Sequence, residues 1–210
     1  MYVIGLTGGM GSGKTTVGRW LEEKGAALLQ ADLIAHEVYA AGTPGWQQVV
    51  DAFGPDVVAP DGSIDRSRLG AIVFRDREAL LRLNAITHPA TRDLLSQRLA
   101  QLAAGDTEIA LLEAALLLEA EWESLVDEVW VLAVPDAIAV GRITEKTGMS
   151  QEDARLRILT QLTNEDRRER AAVLIDSGGS LAETKREVDR AWGQMLERAS
   201  AGLKREKAPH

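Results

Sequence analysis

The chain has 210 residues, 45% of them apolar and 27% charged, the balance of a globular domain long enough to bury a sizeable core. A formal net charge of -8 argues against a broad nucleic-acid or membrane-binding face, and any anionic ligand must be held by local positive groups. The absence of cysteine excludes a disulfide framework, a thiolate metal site and a thiol nucleophile.

Short apolar strands alternate with longer amphipathic helices along the chain. Tyr2 to Leu6 reads as a strand, and residues 14 to 24 as a helix with Val17, Trp20 and Leu21 on one face and Gly25 as its stop. Ala26 to Gln30 is a second strand. A helix from Asp32 to Ala41 ends at Gly42-Thr43-Pro44-Gly45, and another near 45 to 53 leads into the turn-rich residues 54 to 62. Asp65 and Asp76 suit helix N-caps. The helical pattern that follows runs to Ala104 but contains Pro89, which lacks an amide donor and clashes with the preceding turn, so a split near Thr87 is expected. Glu108 to Glu113, Glu128 to Val134 and Ala172 to Asp176 are the later strands. Ser150 with Asp153, and Ser180 with Glu183, have the spacing of capping boxes. Residues 203–210 read as a disordered tail. No run reaches the roughly 18 apolar residues of a membrane span. No basic segment precedes an apolar block as in a secretory signal, so a cytoplasmic location is expected.

Strands separated by helices imply an α/β fold with a central parallel sheet and right-handed crossovers. Ligands in such sheets bind beyond the carboxyl ends of the strands. The informative residues are therefore those just after each apolar run. The first such run feeds GGMGSGKT, Gly8 to Thr15, which satisfies G-x-x-x-x-G-K-[ST] between a strand and a helix. Gly8, Gly9, Gly11 and Gly13 let the backbone turn tightly and approach a phosphate without a Cβ in the way. The loop amides form an anion nest, and the following helix adds its N-terminal partial charge. Lys14 can reach the β- and γ-phosphates, and Thr15 can offer its hydroxyl to Mg²⁺.

A guanine-reading N-K-x-D segment is missing: neither Asn84 nor Asn164 is followed by lysine. A small-molecule kinase fits better than a GTPase. It needs a carboxylate near the acceptor hydroxyl and cationic groups that close over the transferring phosphoryl. Asp32, just past the second apolar run, suits the first role and equally suits a helix N-cap. Seven cations, Arg142, Lys146, Arg155, Arg157, Arg167, Arg168 and Arg170, fall between the fourth and fifth strands among interspersed acids. Most read as a solvated face. Arg142 stands apart because it lies on the first helix after a strand. His36 shares a helix face with Asp32 at i, i+4, and His88 precedes Pro89. Either could meet an anionic acceptor, although isolated histidines are more often structural.

Together these residues resemble the dephospho-coenzyme A kinase family over nearly the whole chain. The matching segments are GLTGGMGSGKTT, Gln30-Ala31-Asp32 running through His36 to Gly42-Thr43-Pro44, Ile72-Val73-Phe74, His88-Pro89, Ala115-Leu116-Leu117-Leu118-Glu119, Arg142 to Gln161, and Ile175-Asp176-Ser177-Gly178. The resemblance implies a three-layer P-loop NTPase fold in one domain over 1–202, with a helical acceptor-binding insertion at 33–105 and a helical lid at 136–170. It implies transfer of the ATP γ-phosphoryl to the ribose 3′-hydroxyl of dephospho-CoA, with Mg²⁺ at Thr15 and no obligate protein partner. Asp32, Lys14 and Arg142 are the implied catalytic residues. Gly9, Gly11, Ser12, Gly13, Lys14, Thr15, Thr16 and Arg142 would bind ATP, and Thr7, Asp32, His36, His88 and Leu116 the acceptor. Gln30, Ala115, Leu118, Lys146 and Ser177 depart from the family's usual aspartate, proline, phenylalanine, arginine and asparagine. The alternatives are a P-loop kinase for another small alcohol, such as a nucleoside or sugar, and a non-enzymatic nucleotide switch.

Overall fold

The computed structural model describes residues 1–206. Among these the chain runs β1 (Tyr2–Gly8), α1 (Lys14–Glu23), β2 (Ala27–Gln30), α2 (Ala31–Val38), α3 (Pro44–Phe53), α4 (Arg66–Val73), α5 (Arg77–Ala103), β3 (Ile109–Glu113), β4 (Glu128–Ala133), α6 (Asp136–Thr147), α7 (Gln151–Leu159), α8 (Asn164–Glu169), β5 (Val173–Asp176) and α9 (Leu181–Glu206). It divides into two compact units, Met1–Leu29 with the residues from Gly105 onward, and Gln30–Ala104. No helix among the described residues is long and apolar enough to cross a membrane.

The first unit carries the sheet, in the order β2-β3-β1-β4-β5. β1 pairs in parallel with β3 on one side and β4 on the other, and β4 pairs in parallel with β5. The chain thus leaves the central strand in both directions, which makes the carboxyl end of β1 a switch point of the topology. Alternate β1 residues, Ile4 and Leu6, face a core shared with Leu111, Trp130, Leu132 and Ile175. Val17 and Leu21 of α1, and Val188, Trp192 and Met195 of α9, close that core; their spacing of three to four residues gives each helix one apolar stripe. Leu6, Leu21 and Leu111 are fully buried. Truncating any one to alanine removes its transfer energy and leaves a cavity, together about 2–5 kcal/mol. At the amino end of β4, Trp130 Nε1 donates to Glu128 Oε1 at 2.7 Å, and Arg198 of α9 donates to both Glu128 oxygens at 2.9 and 3.0 Å.

The second unit packs α2 to α5 around Val49, Val57, Ile64, Leu69, Val73 and Ala79. Asp65 and Asp76 cap α4 and α5, each accepting from two backbone amides. Two helices of this unit differ from the sequence reading. α2 stops at Val38, short of Ala41, because the Thr43 hydroxyl donates to the Val38 and Ala40 carbonyls at 2.7 and 2.8 Å, while Thr43 caps α3 by accepting from Trp46 N. α5 is a single helix through Pro89, with no break at Thr87. Thr87, Thr91, Leu95 and Leu99 are buried at i+4 spacing, so one packed stripe holds both sides of the proline in register. α9 continues to Glu206, into the stretch read as a tail; residues 207–210 lie outside the described residues.

Candidate active site

β1 ends in the glycine-rich loop, and α1 starts directly after it. Gly13 is the N-cap residue of α1 and is left-handed, with φ 88°. A side chain there would be strained. Gly11, with φ 79°, also lies against α6: a Cβ would stand 2.8 Å from the Ala139 carbonyl oxygen. These two glycines let the loop close on α6 and turn its amides into the start of α1. The Ser12 amide donates to Gly9 O at 3.2 Å, and the Ser12 side chain is buried.

Lys14 Nζ donates to Gly8 O at 2.8 Å and reaches Gly9 O at 3.4 Å, so the ammonium lies folded over the loop. Thr15 Oγ1 donates to Glu113 Oε1 at 3.3 Å. Glu113 ends β3 and pairs in register with Leu6 of β1; its buried carboxylate faces the first turn of α1. Gly18 provides room for it, since a Cβ at that position would stand 3.2 Å from Glu113 Oε2. A hydroxyl and a carboxylate side by side form the hard-oxygen donor set that suits Mg²⁺. Thr7 is fully buried, with its hydroxyl 3.5 Å from Ala115 O, and Leu116 is half-buried in the segment after β3.

Arg142 of α6 donates to Gly11 O at 3.3 Å. It lines a pocket of about 300 Å³ together with Ser12, Gly13, Thr16, Trp20 and Ser177. Ser177 turns its hydroxyl to Ala133 O at 3.0 Å. On the other flank of the loop, Gln161 Oε1 accepts from Met10 N at 2.9 Å. Arg167 of α8 is buried and pairs with Glu119 at 3.0 Å, and Glu119 also accepts from Leu162 N at 3.2 Å. A Cβ on Gly9 would stand 3.5 Å from Arg167 Nη1, so this arginine backs directly onto the phosphate loop.

The second unit carries Asp32, His36 and His88. Asp32 lies in the first turn of α2, exposed, and the N-cap position belongs to Gln30. His36 follows one turn later. Arg66, the first residue of α4, places Nη1 3.0 Å from His36 Nδ1, and the His36 ring meets Tyr39 edge-on with centroids 5.8 Å apart. Burial, and then the Arg66 cation, hold the His36 imidazole below its usual range against the opposing pull of Asp32. His88 is half-buried within α5.

Glu113, Gln161, Arg167 and Arg66 were not singled out by the sequence reading. A signal for Glu113 was present: it is the first polar residue after an apolar run, where ligands of a parallel sheet gather. Arg167 is indistinguishable in sequence from Arg168 and Arg170, and only burial separates it. Gln161 only ends the matched segment from Arg142, with nothing local to mark its role, and Arg66 carries no motif.

A family model described as CoaE, dephospho-CoA kinase, matches residues 2–183. The dephospho-CoA kinase of Geobacter sulfurreducens is 43% identical over 196 residues, covering 93% of this chain and all of that protein. That of Streptomyces avermitilis is 43% identical over 199 residues, covering 95% and 96% of the two chains. Among solved structures, a dephospho-CoA kinase from Campylobacter jejuni is 25% identical with a TM-score of 0.68, covering 92% of this chain and 96% of that one. A shikimate kinase from Acinetobacter baumannii, 18% identical with a TM-score of 0.56 over 94% of each chain, shares the fold.

Proposed function

The chain belongs to the dephospho-CoA kinase family, and we propose that it transfers the γ-phosphoryl group of ATP to the ribose 3′-hydroxyl of dephospho-CoA, giving coenzyme A and ADP. The observation that carries the acceptor is the family match across residues 2–183. The phosphate loop alone would fit a kinase for another small alcohol or a nucleotide switch.

The ATP phosphates lie along Gly9 to Thr16, on the loop amides and the start of α1. Lys14 exchanges the Gly8 and Gly9 carbonyls for β- and γ-phosphate oxygens. Thr15 and Glu113 hold Mg²⁺, whose charge, when bound, offsets that of the β- and γ-phosphates. Arg142 leaves the Gly11 carbonyl for the phosphoryl group, where its fork can donate to two oxygens. The pocket beside Thr16, Trp20 and Ser177 suits the adenine ring, with the indole as an apolar wall. Asp32 receives or orients the acceptor 3′-hydroxyl, with His36 and His88 on the acceptor side. Thr7 and Leu116 shape the acceptor wall from β1 and the segment after β3. A loose transition state demands little base strength, so most of the rate comes from alignment and fixed positive charge. Residues 136–170 form the lid.

An acceptor panel with ATP and Mg²⁺ tests the reading. Coenzyme A formed from dephospho-CoA, at a kcat/KM at least about a hundredfold above that for adenosine or a free sugar, supports it, because the binding energy of the rest of the acceptor then counts toward the transition state. A sugar or nucleoside used in preference would replace it.

A further inference from the structure

Arg66 is placed against ordinary electrostatic preference. It occupies the first position of α4, where helix amides already concentrate positive charge. Its guanidinium lies 3.0 Å from His36 Nδ1 and 3.5 Å from His36 Nε2, beside an imidazole that would be repelled if protonated. No carboxylate among the described residues pairs with it. Asp65 caps α4 and pairs with Arg68 at 3.2 Å, Glu37 pairs with Arg98 at 3.2 Å, and Asp32, whose charge acts on the His36 imidazole, forms no ion pair with Arg66. A cation held beside a histidine, at the positive end of a helix and without a counter-ion, is a local conflict that a bound anion would relieve. Such conflicts persist in folded proteins mainly where they serve a ligand.

The position of the conflict relative to Asp32 identifies the anion. Asp32 and His36 share one face of α2, a turn apart, a rise of about 5.4 Å. In dephospho-CoA the ribose 3′-hydroxyl and the first phosphorus of the 5′-diphosphate lie on opposite sides of one ribose ring, a span of the same order. We infer that Arg66 and His36 form the subsite for the 5′-diphosphate of the acceptor. This rests on the acceptor reading above, in which Asp32 faces the 3′-hydroxyl. The guanidinium offers the planar fork that matches phosphate oxygens, a geometry that lysine lacks. An anion between the two groups cancels their repulsion and lets the imidazole take up a proton and become a second donor. The site therefore recognises an acceptor with a 5′-diphosphate and gives adenosine no such hold.

Two measurements test this, steady-state kinetics and calorimetric binding of the acceptor to protein saturated with a non-hydrolysable ATP analogue. Arg66→Ala raises both the KM and the Kd for dephospho-CoA by about tenfold or more. The KM for ATP and the Kd for adenosine stay within about twofold of wild type. Arg66→Lys recovers part of the loss. A dephospho-CoA Kd within about twofold of wild type in Arg66→Ala overturns the subsite, and so does an equal loss of adenosine binding, which would mark general damage to the unit. If the wild type makes no coenzyme A yet loses dephospho-CoA affinity on Arg66→Ala, the kinase reading fails and the diphosphate subsite stands.

Discussion

Thr15, in the first turn of α1, donates its hydroxyl to Glu113 at the end of β3 across 3.3 Å. This joins the phosphate-loop helix to the neighbouring strand at the carboxyl edge of the sheet, where Mg²⁺ is expected between protein and phosphates. Glu113→Gln keeps the shape and removes the charge. We expect kcat/KM to fall by about 10–100-fold, the usual cost of disturbing the groups around a metal, and the Mg²⁺ concentration for half-maximal activity to rise. Activity against Mg²⁺ concentration reads both, and an unchanged curve would remove Glu113 from the metal site.

Asp32 carries a separate prediction. Asp32→Ala leaves the ATP dissociation constant within about twofold and lowers turnover by about a hundredfold or more, the scale of a positioned acid–base group. Single-turnover kinetics with saturating acceptor measure it directly. Near-normal turnover would assign the role to another group.

The pair of Arg167 and Glu119 is packed behind Gly9, with the Arg167 side chain 3% exposed. Removing one partner strands the other charge in a buried setting. Arg167→Leu is therefore expected to lower stability by about 3 kcal/mol, and Arg167→Leu with Glu119→Leu by less than that single change. Denaturant midpoints compare the two. Because Arg167 and Gln161 brace the loop at Gly9 and Met10, the single variant should also raise the KM for ATP.

Tyr2 and Glu128 set the pH limits of the other end of the sheet. Burial, with the Glu128 charge, pushes the Tyr2 phenol up to about 12, and burial also raises Tyr39. A raised phenol stabilises the fold fully below its unfolded value near 10 and loses that contribution as pH climbs toward 12. For Glu128, burial acts to raise the carboxyl, but hydrogen bonds from Arg198 and Trp130 outweigh it and hold the group below its usual range. Its contribution is present above the unfolded value of about 4.5 and fades as pH falls through the lower folded value. The chain has only two tyrosines, so no more than half of the tyrosinate absorbance should appear near pH 10 in the folded protein. A full step there would contradict the Tyr2 environment.

Much of this was legible in the sequence because local signals and global order agree. The strand, glycine loop and Lys14-Thr15 pair announce the phosphate site, and Asp65 and Asp76 cap helices as their residue types predict. Pro89 misled because propensity is local, whereas the buried stripe from Thr87 to Leu99 is a property of packing. Arg66 and His36 lie thirty residues apart in the chain, and Arg167 and Glu119 forty-eight. No periodicity links such pairs, so only the fold could join them.

The most direct test of the central claim is the position of the transferred phosphoryl. Incubation with ATP, Mg²⁺ and dephospho-CoA, followed by phosphorus NMR and mass spectrometry of the product, should show one added phosphoryl group on the ribose 3′-oxygen with one ADP formed for each. ADP formation without that product, or phosphorylation of a different alcohol in preference to dephospho-CoA, would contradict the account.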